Sequence, residues 1–151
     1  APPKKTIQIN DENVEVYLKN AEELLKKGEY LQGLEIFQKV YEYSKNVLNI
    51  IEIAEEKQRG AMESKTLDQK TQESLVWKAK RREALKSRYR DYLAKSAYYC
   101  GYVYMRRNDR ESASRYLMDA LKNSSFSEKP DSTYVKTMAL LAKIYALEGE
   151  L

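Results

Sequence analysis

The residues best placed to do chemistry lie between positions 98 and 104, where "YYCGYVY" sets four tyrosines around the chain's single cysteine. A lone thiol can act as a nucleophile, a redox centre or a metal ligand, but each role needs neighbours. The chain has no histidine, which removes the commonest general base, the commonest metal ligand and every Ser-His or Cys-His pair. Cys100 by itself closes no internal disulfide and completes no multi-thiolate zinc site. Neither G-x-x-x-x-G-K-[ST] nor G-x-G-x-x-G occurs. Carboxylates are plentiful, but they alternate with lysines at helical spacing, as surface ion pairs do. The expectation is a chain that is not an enzyme, uses no metal or cofactor, and works by binding.

The elements that must position these residues read as helices. With 151 residues, 42% of them hydrophobic and 33% charged, and with 5 Gly and 3 Pro, the composition suits one helix-rich domain with a sizeable core. The longest apolar runs are a few residues, too short to span a bilayer, and no basic-then-apolar leader is present, so a soluble chain is expected, cytoplasmic or periplasmic. Charge is uneven: residues 1–60 carry 9 Lys+Arg against 11 Asp+Glu, and residues 61–151 carry 18 against 12, so −2 and +6 make up the net +4.

From Asn13 to Lys27, Val14, Tyr17, Leu18, Ala21, Leu24 and Leu25 recur at helical spacing behind Asp11, a capping candidate. Gly28 in "KKGEY" ends this helix, and a second follows with Leu34, Phe37, Val40 and Tyr41 on one face. Such a helix–turn–helix invites a search for internal repeats.

The stretch "VEVYLKNAEELLKKGEYLQGLEIFQKV" (14–40) resembles the tetratricopeptide repeat (TPR), a helix–turn–helix unit of about 34 residues. Ala21, Leu24, Gly28, Tyr30, Gly33, Phe37 and Val40 fall on its packing positions, with Tyr17 as the first-helix aromatic. Asn20 and Val40 depart from the usual Leu and Ala, and Lys45 replaces the closing Pro. A second copy, "AKSAYYCGYVYMRRNDRESASRYLMDAL" (94–121), matches at Gly101, Tyr104, Ala113, Leu117 and Ala120, with Asn108 and Asp109 in the turn. There Cys100 stands where Leu is common and Arg110 replaces the turn aromatic. "YVKTMALLAKIYALEGEL" (134–151) looks like a third first-helix, with Ala142, Tyr145 and Gly149 in place, and the array is expected to continue in a longer protein. The resemblance implies an all-α, α-solenoid fold of antiparallel helix pairs.

Turn to turn, Gly28 to Asn108 spans 80 residues, about 46 more than one repeat. Phe37, Tyr41, Ser44, Leu48, Ile51, Glu55, Gln58 and Met62 carry the 3–4 alternation of the second helix onward, through Gly60. "ESKT" (63–66) offers a turn, Thr66 with Gln69 a capping box, and helix can then run to Tyr99 without Gly or Pro. Two extensions of about 23 residues each make an antiparallel hairpin projecting by roughly 35 Å; the alternative is a degenerate repeat folded back into the array. The domain layout is then an N-terminal extension (1–12) and one TPR-like domain (13–151). In that domain, repeat 1 covers about 14–46 with its second helix running about 30–62, and the hairpin insertion covers about 47–88. Repeat 2 follows at about 89–123, including a helix of about 67–107 shared with the hairpin, and the first helix of repeat 3 spans about 132–148.

Within the hairpin, "KAKRREALKSRYR" (78–90) sets Lys78, Lys80, Arg81, Arg82, Lys86, Arg88 and Arg90 against Glu83 alone. On an antiparallel hairpin with its tip near Lys65 it faces residues 42–53, where Glu42 and Glu52 can pair with it. A partly ion-paired arm is one reading; a face formed by Trp77, Arg81, Arg82 and Arg88 that docks to an acidic protein, anionic lipid or nucleic acid is the other.

By resemblance, ligands of a TPR array lie in a concave groove lined by first helices. The matching positions are Glu15, Leu18, Glu22, Leu25 and Lys26 in the first copy. The second copy supplies Lys95, Tyr98, Tyr102, Met105 and Arg106. The third supplies Lys136, Ala139, Lys143, Ala146 and Leu147. Leu18, Glu22, Lys95, Tyr98, Tyr102, Met105, Arg106, Lys136 and Lys143 are the groove residues expected to matter most. The Lys–Asn pair with which chaperone-binding members hold a C-terminal carboxylate is replaced by Leu18 and Glu22, and by Tyr98 and Tyr102. The function expected is a protein-interaction scaffold or adaptor that takes a peptide or partner helix with apolar anchors and some acidic character. By analogy of fold it works within a larger secretion, envelope or motility assembly. Membrane-surface contact and self-association stay open, and nucleic acid is the least favoured partner. In this scheme Cys100, Gly101 and Tyr104 pack within a repeat, Tyr99 packs between repeats, and Tyr98 and Tyr102 face the groove.

Overall fold

The computed structural model describes residues 6–64 and 68–149, and these form five α-helices with no strand. They are α1 (Val14–Lys26), α2 (Tyr30–Ser64), α3 (Gln69–Arg106), α4 (Arg110–Asn123) and α5 (Thr133–Leu147). Each helix packs on the next, and α5 also touches α3. None of the described helices is long and apolar enough to cross a membrane.

The two turns that the sequence aligns are alike in detail. Gly28 and Asn108 both take positive φ, at 80° and 61°. Gly28 N–H donates to the Leu25 carbonyl at 3.0 Å and Glu29 N–H to that of Leu24 at 2.9 Å. Asn108 and Asp109 repeat this towards Met105 and Tyr104, also at 3.0 and 2.9 Å. This is the Schellman closure, which needs one residue tolerant of the left-handed region, and Gly and Asn are those best suited. Asp109 then caps α4 by accepting from Ser112 N–H at 3.1 Å, and Ser132 caps α5 through Val135 N–H at 3.2 Å.

Behind each turn a glycine lets two helices approach. A side chain at Gly33 would meet Leu25 at 3.1 Å and the Ala21 carbonyl at 3.4 Å. One at Gly101 would meet Leu117 at 2.6 Å and the Ala113 carbonyl at 3.3 Å. The pairs are reciprocal: glycine on α2 faces alanine on α1, while glycine on α3 faces alanine on α4. Around these crossings Val14, Leu18, Ala21, Leu34, Phe37, Val40, Tyr89, Tyr92, Cys100 and Val103 form one core. Ala113, Leu117, Leu141 and Ile144 form a second, and Tyr104 packs against both.

α2 and α3 outrun this base. Phe37 stacks on Tyr99 at 4.6 Å, Tyr43 lies against Tyr89 at 5.8 Å, and Gln58 donates to the Leu75 carbonyl at 3.2 Å, so the helices stay paired and antiparallel outwards. α2 passes through Gly60 unbroken. Among the described residues between 49 and 88, Ile51 alone is buried. An arm surrounded by solvent on this scale is a projection, not a repeat folded back. From Leu48 to Ser64 it extends roughly 25 Å, shorter than expected because Tyr43 and Tyr89 still belong to the base.

Two local expectations are corrected, and a third falls outside the described residues. Asp11 does not cap α1; Asn10 and Asn13 exchange side-chain bonds with that turn, Asn10 Oδ1 accepting from Glu12 and Asn13 N–H. Asp11 instead accepts from the Tyr43 hydroxyl at 2.8 Å and from the Tyr89 hydroxyl, while Arg88 donates to its carbonyl at 3.3 Å. The capping box at Thr66, and the tip at Lys65, lie outside the described residues; α3 is capped by Asp68, which accepts from Thr71 N–H at 2.7 Å. Across the arm the pairing acid is Glu55, held by Lys86 at 3.2 Å, because Glu42 and Glu52 point to solvent off the seam.

Candidate functional site

Helices α1, α3 and α5 expose one face each to a shared cleft of about 280 Å³. Its walls are Glu22, Leu25 and Lys26 from α1, Tyr98, Tyr99 and Tyr102 from α3, and Lys136 from α5. Each side chain arrives there by helical phase. Leu18 and Ala21 turn into the core, which leaves Glu22, Leu25 and Lys26 on the outer shoulder. Ala97, Cys100 and Val103 are buried on α3, which turns Tyr98 and Tyr102 outward. On α5, Thr137 and Leu141 face inward and Lys136 lies beside them.

The cleft is aromatic at its centre and charged at its edges. Tyr98 lies 5.2 Å from Tyr99 and 6.4 Å from Tyr102, ring to ring. The Lys136 ammonium sits 4.9 Å from the Tyr98 centroid and 5.5 Å from that of Tyr99, within cation–π range. Burial pushes the Tyr99 phenol up to about 12, with the Glu22 carboxylate and Tyr98 adding to the rise, and burial likewise raises Tyr98. Both phenols therefore stay protonated near neutral pH and can donate hydrogen bonds. Glu22 offers an acceptor, Lys26 and Lys136 offer cations, and the rings offer flat apolar area. Such a surface can seat an apolar or aromatic side chain beside a charged one.

Of the nine groove residues expected, Glu22, Tyr98, Tyr102 and Lys136 meet in this cleft. Leu18 is a correction: it is 4% exposed and packs in the main core, because its phase on α1 matches Val14 and Ala21. Met105 is likewise drawn inward, against the second core. Arg106 lies 4.3 Å from the Tyr30 ring at the α1–α2 turn, Lys95 pairs with Asp91 at 3.2 Å, and Lys143 is exposed on α5 outside the cleft walls. Tyr99 was not expected here; it reaches both Phe37 and the cleft edge. Cys100 is fully buried, and burial holds its thiol well above the ordinary range, which leaves it a small apolar filler. Among the described residues no cluster of His, Cys, Asp and Glu could hold a metal ion.

A second cleft, of about 840 Å³, runs along one side of the arm between Ala54, Lys57 and Gln58 of α2 and Leu75, Lys78, Arg81, Arg82, Ala84, Leu85 and Arg88 of α3. It contains three of the four expected arm residues. The fourth, Trp77, stands at 59% exposure with the Arg81 guanidinium 4.8 Å from its ring. Lys57 escaped notice because Glu55 and Glu56 neutralise it in the linear sequence; helical phase places it opposite Arg81. No family model, curated protein or solved structure matches this chain.

Proposed function

We propose that this chain is a non-catalytic interaction scaffold of TPR type, holding a peptide segment or helix of a partner protein in the cleft between α1, α3 and α5. The observation that carries the reading is the composition of that cleft. Six of its seven walls (Glu22, Leu25, Lys26, Tyr98, Tyr102 and Lys136) occupy positions that the repeat resemblance assigns to ligand contact. The duplicated Schellman turns and the reciprocal glycine–alanine crossings support the repeat reading itself, since two helix pairs separated by a long insertion share their packing.

The cleft is small, so it takes one or two anchoring side chains and not a whole domain. Tyrosine gives wide contact area at low conformational cost, and Lys26 and Lys136 favour acidic character next to the anchor. With the repeat-type base rigid and the arm set apart, the scaffold fits work inside a larger assembly. A displayed library of random peptides, selected on the protein with its arm cleft filled by Ala84→Trp, tests the reading. Selected peptides should lose at least about tenfold in affinity on Tyr102→Ala or Lys136→Ala, as anchoring residues do, with circular dichroism unchanged. Binding indifferent to both changes overturns the assignment.

A further inference from the structure

Outside that cleft, the arm leaves an unusual surface uncovered. Five cations, Lys57, Lys78, Arg81, Arg82 and Arg88, line its 840 Å³ cleft, and no carboxylate does. Among the described residues none of the five forms an ion pair, whereas Lys86, on the seam, does. The floor is apolar, from Ala54, Leu75, Ala84 and Leu85. Ile50, one helical turn before Ala54 on α2, is 66% exposed. Trp77 adds a large exposed ring at the rim.

We infer that this cleft is a docking site for one acidic amphipathic helix of a partner protein, which lies between α2 and α3 and completes a three-helix arm. Charge and shape both select this occupant. Lys57, Lys78, Arg81 and Arg82, which have neither an ion pair nor a hydrogen-bond acceptor among the described residues, call for an anionic partner, while Arg88 at the foot of the furrow is already held by Asp11 and Tyr92. A flat anionic bilayer cannot fill a furrow between two helices, and a nucleic-acid backbone leaves the apolar floor without a partner. A helix with apolar residues at i, i+3 or i+4, and i+7, flanked by acids, satisfies both parts. The small residues Ala54 and Ala84, one from each helix, give its backbone room. From Lys78 to Arg88 the furrow is roughly 15 Å long, about three turns of such a helix. The site shares no residue with the cleft between α1, α3 and α5, so it stands or falls separately.

The test is a fluorescence-anisotropy titration of the whole chain with a synthetic acidic amphipathic helix carrying leucines on one face and glutamates beside them. Controls are a scrambled peptide of equal composition, phosphatidylserine vesicles and an RNA duplex. The helix should bind at least about tenfold more tightly than the scramble, as complementarity beyond net charge requires. Ala84→Trp, which fills the furrow without changing charge, and Lys57→Glu, on the opposite wall, should each weaken binding by a similar factor. Both positions are exposed or at the rim, so the helical spectrum should be unchanged, and Tyr102→Ala should have no effect. Equal affinity for the scramble, insensitivity to Ala84→Trp, or displacement of the peptide by vesicles or RNA at lower concentration overturns the proposal, as does the absence of binding.

Discussion

Between Tyr89 and Val103, α3 buries Tyr89, Tyr92, Leu93, Ala94, Ser96, Ala97, Cys100, Gly101 and Val103; between Gln69 and Arg88 the same helix buries nothing fully. The proximal half is fixed by neighbours on several sides: α1, α2, α4, α5 and the N-terminal segment. The distal half has α2 alone, with Ile51, the Lys86–Glu55 pair and the Gln58–Leu75 bond along the seam. One continuous helix therefore spans two regimes. In the base, tertiary packing decides the structure; in the arm, helix propensity and a single seam do. Tight packing in the base positions a tyrosine cleft, and the thin arm leaves Lys57, Lys78, Arg81 and Arg82 without an internal acid and Ile50, Val76 and Trp77 exposed.

The comparison is broken most severely at the α3–α4 crossing. Gly101→Leu must displace Leu117, whose Cγ lies 2.6 Å from the site of a new Cβ, and should cost about 3 kcal/mol in chemical denaturation, as overpacking of a tight core does. Next comes the tie between the N-terminal segment and the foot of the arm. Asp11→Ala strands the hydroxyls of Tyr43 and buried Tyr89 and should cost about 2 kcal/mol. The same contact sets a pH dependence. Hydrogen bonds from Tyr89 and then Tyr43, with Arg88 adding, hold the Asp11 carboxyl below its ordinary 3.8. Its contribution is thus complete above that value and is lost as the pH falls through the lower folded-state value. Stability–pH curves of the wild type and of Asp11→Ala should differ in slope in that window alone, lying apart above it and converging below it.

A smaller effect separates the turns. Asn108→Ala forces a residue with a β-carbon and no local polar support to hold φ 61° and should cost about 1 kcal/mol. Smallest of all, Arg81→Ala with Arg82→Ala should shift global stability by less than about 0.5 kcal/mol, since neither side chain supports the base. Hydrogen exchange sharpens the contrast further: amides of α3 before Arg88 should exchange through local opening well before those after Tyr89. Uniform protection along α3 would contradict the two-regime account.

Much of this architecture was legible because it is local. Gly28 and the Asn108–Asp109 pair mark turns by their own conformational preferences, and the 3–4 spacing from Phe37 to Met62 runs as a helix, as its pattern indicates. Glu22, Tyr98, Tyr102 and Lys136 line one cleft because helical phase turns each of them outward on α1, α3 or α5. What stayed hidden is set by distance in sequence. Asp11 looks like a cap because it precedes an apolar run, yet its partners Tyr43 and Tyr89 are 32 and 78 residues away. Leu18 looks available by its motif position, but its phase matches the core on this particular α1. Glu55, not Glu42 or Glu52, meets Lys86, since long side chains reach diagonally across a seam and only phase shows which ones can. Lys57 is masked by its acidic neighbours until α2 is wound into a helix.

The central claim concerns where a partner's anchor sits, and amide chemical-shift mapping of the isotope-labelled chain with a library-selected peptide tests it most directly. The account predicts shifts concentrated at Glu22, Leu25, Lys26, Tyr98, Tyr102 and Lys136, with residues 54–58 and 75–88 of the arm unmoved. Shifts confined to the arm, or spread over α4 with the α1, α3 and α5 cleft silent, would contradict it.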